Sequence, residues 1–393
     1  MRVAPLLTLV AAVAGSLAAQ DAPRARDLGV PFEGTPGPLN AITDVAGVEV
    51  GHTSVVRGEG PLVVGEGPVR TGVTALLPRG RGSDAEVFAA WFTLNGNGEM
   101  TGTTWVEESG FLGGPVLITN THSVGVVHSA AVEWAVRRGK AFAWSLPVVA
   151  ETWDGDLNDI NGFHVTREHA FAALEAARGG PVAEGNVGGG TGMQCHEFKG
   201  GIGTASRRVS IAGERYTVGV LVQCNYGLRR QLRIGGRPVG QELVEPRACY
   251  RGAAPPGADY PVCGDDRDTE REERGSIIIV VATDAPLLPH QLKRVVRRAA
   301  LGVGRMGGIG GNSSGDIFLA FSTQEQPANP EGRPVGVRML PNDRINPVFE
   351  ATIQGTEEAI LNAMVAARDM VGANNLFVPA LPHERVKELV ARR

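Results

Sequence analysis

Arg274-Gly275-Ser276-Ile277-Ile278-Ile279-Val280-Val281-Ala282-Thr283-Asp284-Ala285-Pro286 decides how this chain is read. A charged, turn-like segment, DDRDTEREERG at 265–275, stops at a glycine, and a serine then opens a run of β-branched residues. By length and Ile/Val content the run reads as a buried strand. Taken alone, the junction fits an ordinary turn-to-strand boundary. A hydroxyl at the head of a buried strand also fits a nucleophile, if something can take its proton.

Working outward, GSIIIVVATDAPLLP is followed by GGIGGNSSGDIFLAFST at 307–323. Upstream lie LNAITDVAGVEVGHT at 39–53, TGVTALLPRG at 71–80, PVVAETWDGDLNDINGFHV at 147–165, GNVGGGTGMQCHEFKGGIGTASR at 185–207 and VQCNYG at 222–227. Together, and in this order, these segments resemble the self-processing aminopeptidases of the L-aminopeptidase/D-amino-acid esterase type. That group, peptidase family S58, includes the β-peptidyl aminopeptidases. The resemblance implies an α+β protein, a four-layer αββα sandwich of the N-terminal-nucleophile type in a single domain. It also implies self-cleavage between Gly275 and Ser276. Residues 21–275 and 276–393 would then be two fragments of one catalytic domain, and the freed α-amine of Ser276 would act as base for its own hydroxyl.

The resemblance assigns further roles by position. Ser276 is the implied nucleophile. Ser314 (in preference to Ser313) and Asp316, in GNSSGD, match positions that hydrogen-bond the nucleophile and tune its amine; without the resemblance the same segment reads as an Asx-rich turn. Asn225 matches the oxyanion-hole amide, and in CNYG it fits a turn asparagine equally well. Glu151 matches the carboxylate that receives the substrate ammonium, since a buried ammonium must be paired. Trp153 stands where some members carry a tyrosine; its indole N–H can donate, but phenol acid–base chemistry is lost. The implied substrates are short peptides, amino-acid amides or esters. No cofactor and no metal are implied, and the implied assembly is a homo-oligomer of αβ heterodimers.

Composition is consistent with this reading. The chain has 393 residues, 42% hydrophobic and 20% charged, with a net charge of -4. It is long enough for a large core, and it offers no basic patch for nucleic acid. The 54 glycines cluster in motifs without a collagen-like period, so they read as tight turns and close backbone approaches. Residues 1–20 read as a secretory signal, with Arg2, an apolar run from Val3 to Leu17 and small residues around Ser16, Ala18 and Ala19. The run is shorter than the ~18 residues of a spanning helix, so the expected location is periplasmic or secreted, with no membrane attachment after signal removal. In an oxidising compartment Cys249 and Cys263, flanking a Pro/Gly-rich loop, form an expected disulfide. Cys195 and Cys224 read as buried thiols. There is no CxxC, HExxH or GxSxG. GNVGGGTG lacks the Lys-Ser/Thr ending of a phosphate loop and reads as a pocket floor.

Pattern predicts helices over 121–139, 166–179, from near Pro289 to 305, 355–372 and 382–392. It predicts strands over 208–224, 276–283 and 317–323, an extended lead-in over 21–38 and an exposed linker over 228–275. Two rival functions fit the same fold: an acyltransferase like the ornithine acetyltransferases, which use threonine, and a catalytically silent binding protein.

Overall fold

The apolar run after Gly275 has no polar alternation, and this calls for a strand covered on both faces. The computed structural model, which describes residues 23–139, 145–265, 272–325 and 332–392, places it at the centre of the molecule. In chain order the main strands are β1 (Glu49–Arg57), β2 (Val69–Leu77), β3 (Val87–Thr93), β4 (Phe111–Leu112), β5 (Val116–Asn120), β6 (Val148–Thr152), β7 (Gly201–Ile211), β8 (Glu214–Asn225), β9 (Arg274–Thr283) and β10 (Ile317–Ser322). The helices are α1 (Thr103–Ser109), α2 (Val124–Arg137), α3 (Arg167–Ala176), α4 (Pro289–Val296), α5 (Ala299–Arg305), α6 (Asn346–Val365) and α7 (His383–Ala391).

One sheet runs β4-β3-β10-β9-β8-β7, and a second runs β1-β2-β5-β6. In the first, β9 and β10 are parallel and joined through α4 and α5, while β8 lies antiparallel to β9. The alternation of β9 then explains its burial. Ile278, Val280 and Ala282 face the second sheet, meeting Leu76, Ile118, Val148 and Ala150. Ile277, Ile279 and Val281 face the other way, into the helices, with Leu292, Val295, Ala359 and Leu361. On the far side of the second sheet, Val73, Ala75, Leu117 and Val149 pack on Val127, Ala131, Trp134 and Leu174 of α2 and α3. The order is therefore helix, sheet, sheet, helix. Each fully buried Ile or Val contributes about 2 kcal/mol of transfer free energy, so the doubly covered β9 is a firmly anchored strand with Ser276 at its start.

Local signals set several boundaries. Thr166 N-caps α3, and its N–H donates to His169 Nδ1 at 3.0 Å. Gly139 takes φ +71° just past α2, the left-handed turn that ends a helix. Elsewhere the structure corrects the pattern. The lead-in holds a 3-10 turn at Ala25–Leu28. The helix predicted from near Pro289 does start at Pro289 but is two helices, and α6 starts at Asn346, where Pro347 suits a first helical turn, and stops at Val365. The predicted linker over 228–275 is no exposed linker: Leu232, Ile234, Val239 and Leu243 join the core, and Tyr250 and Tyr260 join a smaller cluster with Leu157, Leu376 and Val378. Its charged stretch over 266–271 and the signal over 1–20 lie outside the described residues.

Cys249 and Cys263 are bonded, with Cα atoms 4.9 Å apart. Cys195 and Cys224, expected as thiols, are bonded as well, with Cα atoms 5.6 Å apart. The short strand Gln194–Cys195 lies against the end of β8, which brings the two sulfurs together in the core. Among the described residues no helix is long and apolar enough to cross a membrane.

Candidate active site

Ser276 sits where three segments meet. Across the sheet it is the register partner of Asn225, the last residue of β8. Just before it, Arg274 and Gly275 pair in parallel with Ser313 and Ser314. Gly275 has φ +149°, and a Cβ there would lie 2.1 Å from the Asn225 carbonyl oxygen, so only glycine fits before this serine. Ser276 is buried, and its Oγ accepts a hydrogen bond from the Gly315 N–H at 3.1 Å.

Asp316 lies directly behind. Its Oδ1 accepts from Ser314 Oγ at 2.6 Å and from the Ile277 N–H at 3.2 Å. Ser314 is buried and Ser313 half-buried, and the geometry brings Ser314 to this carboxylate. Burial pushes the Asp316 carboxyl above its ordinary range, and the bonds from Ser314, Ile277 and Asn95 offset this in part. Asp316 Oδ2 has no partner. A buried carboxylate with an unmet oxygen favours an incoming donor or cation.

Asn225 is held at both ends. Its Oδ1 accepts from the Gln194 N–H at 2.8 Å, and its Nδ2 donates to the Trp153 carbonyl at 2.8 Å. An amide nitrogen has two protons, so the second remains for a ligand. The Trp153 backbone, rather than its indole, is what fixes this amide. The indole itself is 43% exposed and lies over Gly155.

Glu151 ends up in the wall beside Ser276. It is buried on β6; its Oε1 accepts from the Glu99 N–H at 2.9 Å and its Oε2 from Thr121 Oγ1. Burial pushes its carboxyl upward; the bonds from Thr121 and Glu99 oppose this, and the Glu99 charge adds to it. Among the described residues no lysine or arginine pairs with it. The side-chain direction of Gly98 points within 3.2 Å of both Glu151 Oε1 and Gly315 Cα, so the carboxylate and the backbone that touches Ser276 flank one glycine.

Known proteins match this chain over nearly its whole length. The sequence profile of peptidase family S58 matches residues 40–378. The chain belongs to peptidase family S58. It is 55% identical over 398 residues to the β-peptidyl aminopeptidase BapA of Sphingosinicella microcystinivorans, covering 98% of this chain and 97% of the relative. It is 50% identical to the BapA of Sphingosinicella xenopeptidilytica over 99% and 96% of the two chains. The solved L-aminopeptidase D-Ala-esterase/amidase of Ochrobactrum anthropi, described as a variant of the Ntn hydrolase fold, superposes with a TM-score of 0.83 at 47% identity, over 94% of this chain and 98% of that one. A β-aminopeptidase of a Burkholderia species gives 0.81 at 45% identity, over 94% and 99%. The protein is thus a serine-type aminopeptidase of the Ntn hydrolase fold, a hydrolase of peptide bonds.

In this S58 peptidase several site residues gave no clear signal in the sequence. Asn95 Oδ1 accepts the Asp316 N–H at 2.7 Å and its Nδ2 donates to the Gly311 carbonyl at 3.1 Å, while Asn97 Nδ2 donates to the Ser313 carbonyl at 2.8 Å. Thr121 and Gln194 orient Glu151 and Asn225. NGNG at 95–98 carries a turn signal, but turn chemistry alone does not say what the amides hold. The expected pocket floor contains the turn Gly188–Gly190, buried against β5 and β7, and leads into Gln194. Beneath it Asp154, bonded to Asn120 and Asn158, is pushed up to about 6 by burial, and the buried Lys199 is pushed down to about 7. No cluster of His, Cys, Asp or Glu that could hold a metal occurs among the described residues.

Proposed function

We propose that this chain is an exported, self-processing serine aminopeptidase that releases N-terminal β-amino acids from short peptides, amides or esters through an acyl-enzyme on Ser276. The observation that carries the reading is the Gly275–Ser276 junction: a glycine that no other residue can replace, then a buried serine at the head of the central strand. Support for the β-residue preference comes from the two relatives at 55% and 50% identity, both β-peptidyl aminopeptidases.

The residues divide the work as follows. Cutting Gly275–Ser276 frees an α-amine with an ordinary pKa of about 8. That amine takes the Oγ proton as Oγ attacks the substrate carbonyl carbon. The remaining Asn225 N–H stabilises the developing oxyanion, a contribution of about 3 kcal/mol. Glu151 pairs with the substrate ammonium, which selects free N-termini. Asp316 Oδ2 pairs with the new α-amine and sets its protonation. The leaving amine takes the proton, and water then hydrolyses the ester by the same route in reverse.

Mass spectrometry of the purified protein tests the first step. A fragment beginning at Ser276 is expected, and Ser276→Ala should stay intact and inactive. An intact chain with full activity overturns the reading. A panel of aminoacyl nitroanilides with α- and β-residues tests specificity, with β-residues expected to turn over faster. The αβ heterodimers would assemble as homo-oligomers, a state that sedimentation measures directly.

A further inference from the structure

The peptide unit that joins Met193 to Gln194 is gripped from both sides. Its N–H, on Gln194, donates to Asn225 Oδ1 at 2.8 Å. Its carbonyl oxygen, on Met193, accepts from the Gly200 N–H at 2.9 Å and from Lys199 Nζ at 2.5 Å. Nζ also donates to the Gly200 carbonyl at 3.0 Å. Lys199 itself is 0% exposed. A lysine is almost never fully buried unless it is paired, and here both hydrogen-bond acceptors of Nζ are backbone carbonyls. Burial pushes its ammonium down to about 7, with the Asp154 charge opposing that shift. An amine that has lost one proton still has two N–H groups, enough for both bonds.

Satisfying the Met193 carbonyl does not require this burial, because the Gly200 N–H already meets it. The side chains around the same peptide have anchors of their own. Thr152 Oγ1 donates to Met193 Sδ at 2.9 Å, Gln194 Nε2 donates to Asp156 Oδ2 at 2.7 Å, and the Tyr260 hydroxyl donates to Gln194 Oε1 at 2.8 Å. Local topology supplies the lysine. Gln194–Cys195 and Phe198–Lys199 form a short antiparallel pair in which Gln194 and Lys199 are register partners. The pair turns Lys199 back onto the peptide unit that precedes its own partner.

We infer that Lys199 is a positioning residue for the oxyanion donor, acting through the Met193–Gln194 peptide and the Asn225 amide. The inference rests on the proposed oxyanion role of Asn225. From Nζ the chain of bonds runs through the Met193 carbonyl, the Gln194 N–H and Asn225 Oδ1 to Asn225 Nδ2, whose second proton is free opposite Ser276. Linked hydrogen bonds polarise one another in a dry interior. Donation to the carbonyl makes the Gln194 N–H a stronger donor, and that N–H in turn draws charge from the Asn225 amide and strengthens its remaining N–H. The same grip keeps the peptide from rotating, so the amide holds its aim. Lys199 acts on no reacting atom itself.

The test is a double-mutant cycle of wild type, Lys199→Met, Asn225→Ala and the double variant, with kcat taken per mole of titrated active sites. Lys199→Met keeps the length of the side chain and removes the donor. Its kcat should fall about ten- to a hundredfold with KM within about twofold, the cost of a small misplacement of a catalytic group. On Asn225→Ala the same substitution should change kcat by less than about twofold, because residues acting through one another are not additive. An unchanged kcat, a loss confined to KM, or an equal loss on Asn225→Ala overturns the role of Lys199. Failure of both Lys199→Met and Lys199→Gln to give folded, titratable enzyme overturns it too, since the lysine would then hold the fold and not the amide. If Asn225→Ala alone keeps wild-type kcat, it is the oxyanion role that fails, and the single variant shows this. Where Asn225→Ala gives no active sites, Asn225→Asp replaces it in the cycle; where neither does, kcat and KM of Lys199→Met decide.

Discussion

Asn225 and Ser276 are cross-strand partners at the open ends of two antiparallel strands, and the amide of the first is clamped so that one proton is free beside the second. The clamp comes from Gln194 on one side and from the Trp153 carbonyl on the other. It aligns a donor before any substrate arrives, the condition under which a hydrogen bond to an oxyanion is worth most. Asn225→Asp keeps the shape and the Gln194 contact but loses the donor. We expect kcat to fall about 10²–10³-fold with KM little changed. Steady-state kinetics with a β-residue nitroanilide checks this; a purely raised KM would mean that the amide binds the ground state instead.

Glu151 gives a pH signature. Burial holds its carboxyl above the ordinary range, yet pairing with an ammonium needs the ionised form. The acidic limb of kcat/KM should therefore lie above the ordinary carboxylate value of about 4.3. In the empty site the folded state binds this proton more tightly than the unfolded chain does. The contribution of Glu151 to stability thus falls as pH rises through its raised pKa. Asp154, pushed up to about 6, acts with the same sign, so the difference between wild type and Glu151→Gln isolates Glu151. In kinetics, Glu151→Gln should lower kcat/KM for free amines and move the acidic limb. N-acetylated substrates should be refused by wild type, and equal turnover of blocked and free N-termini would count against the assignment.

Ser314→Ala removes a 2.6 Å hydrogen bond to the buried Asp316. A bond to a charged group is worth about 1.5–3 kcal/mol. Urea unfolding should show a loss of that order, together with a lower kcat, since the released carboxylate no longer holds one position behind Ser276, the proposed nucleophile. A stability loss with kcat untouched would make Ser314 structural.

What could be read beforehand follows physical lines. β9 was legible because burial on both faces leaves no polar residue between Ser276 and Ala282, and few other structures produce that run. The layer order was not written in periodicity; it came with the family's motifs, whose order along the chain the fold preserves. Asn95, Thr121 and Gln194 were not legible because each acts through a contact distant in sequence, and a lone Asn or Thr in a turn carries no mark of its partner. The stretch over 228–265 was misread for a related reason: its many Gly, Pro and Arg residues suggest exposure, but Leu232, Ile234 and Val239 are spaced irregularly and fill the core without forming a long element.

The two disulfides should differ in consequence. Cys249–Cys263 closes a surface loop with a sequence separation of 14, and in the loop-entropy account such a bridge contributes about 3 kcal/mol. Neither cysteine neighbours a candidate site residue in sequence. Cys195–Cys224 lies elsewhere: Cys195 follows Gln194 and Cys224 precedes Asn225, so the bridge ties the backbone carrying the Gln194 N–H to the backbone carrying the Asn225 side chain whose Oδ1 accepts from it. Cys249→Ala/Cys263→Ala should lower Tm and leave kcat nearly unchanged. Cys195→Ala/Cys224→Ala should lower Tm and also lower kcat, because the amide loses its fixed aim. Thiol labelling of denatured, unreduced protein should find none of the four cysteines free. Labelling at Cys195 and Cys224 would remove the inner bridge, and with it the reason to expect any difference in kcat between the two double variants.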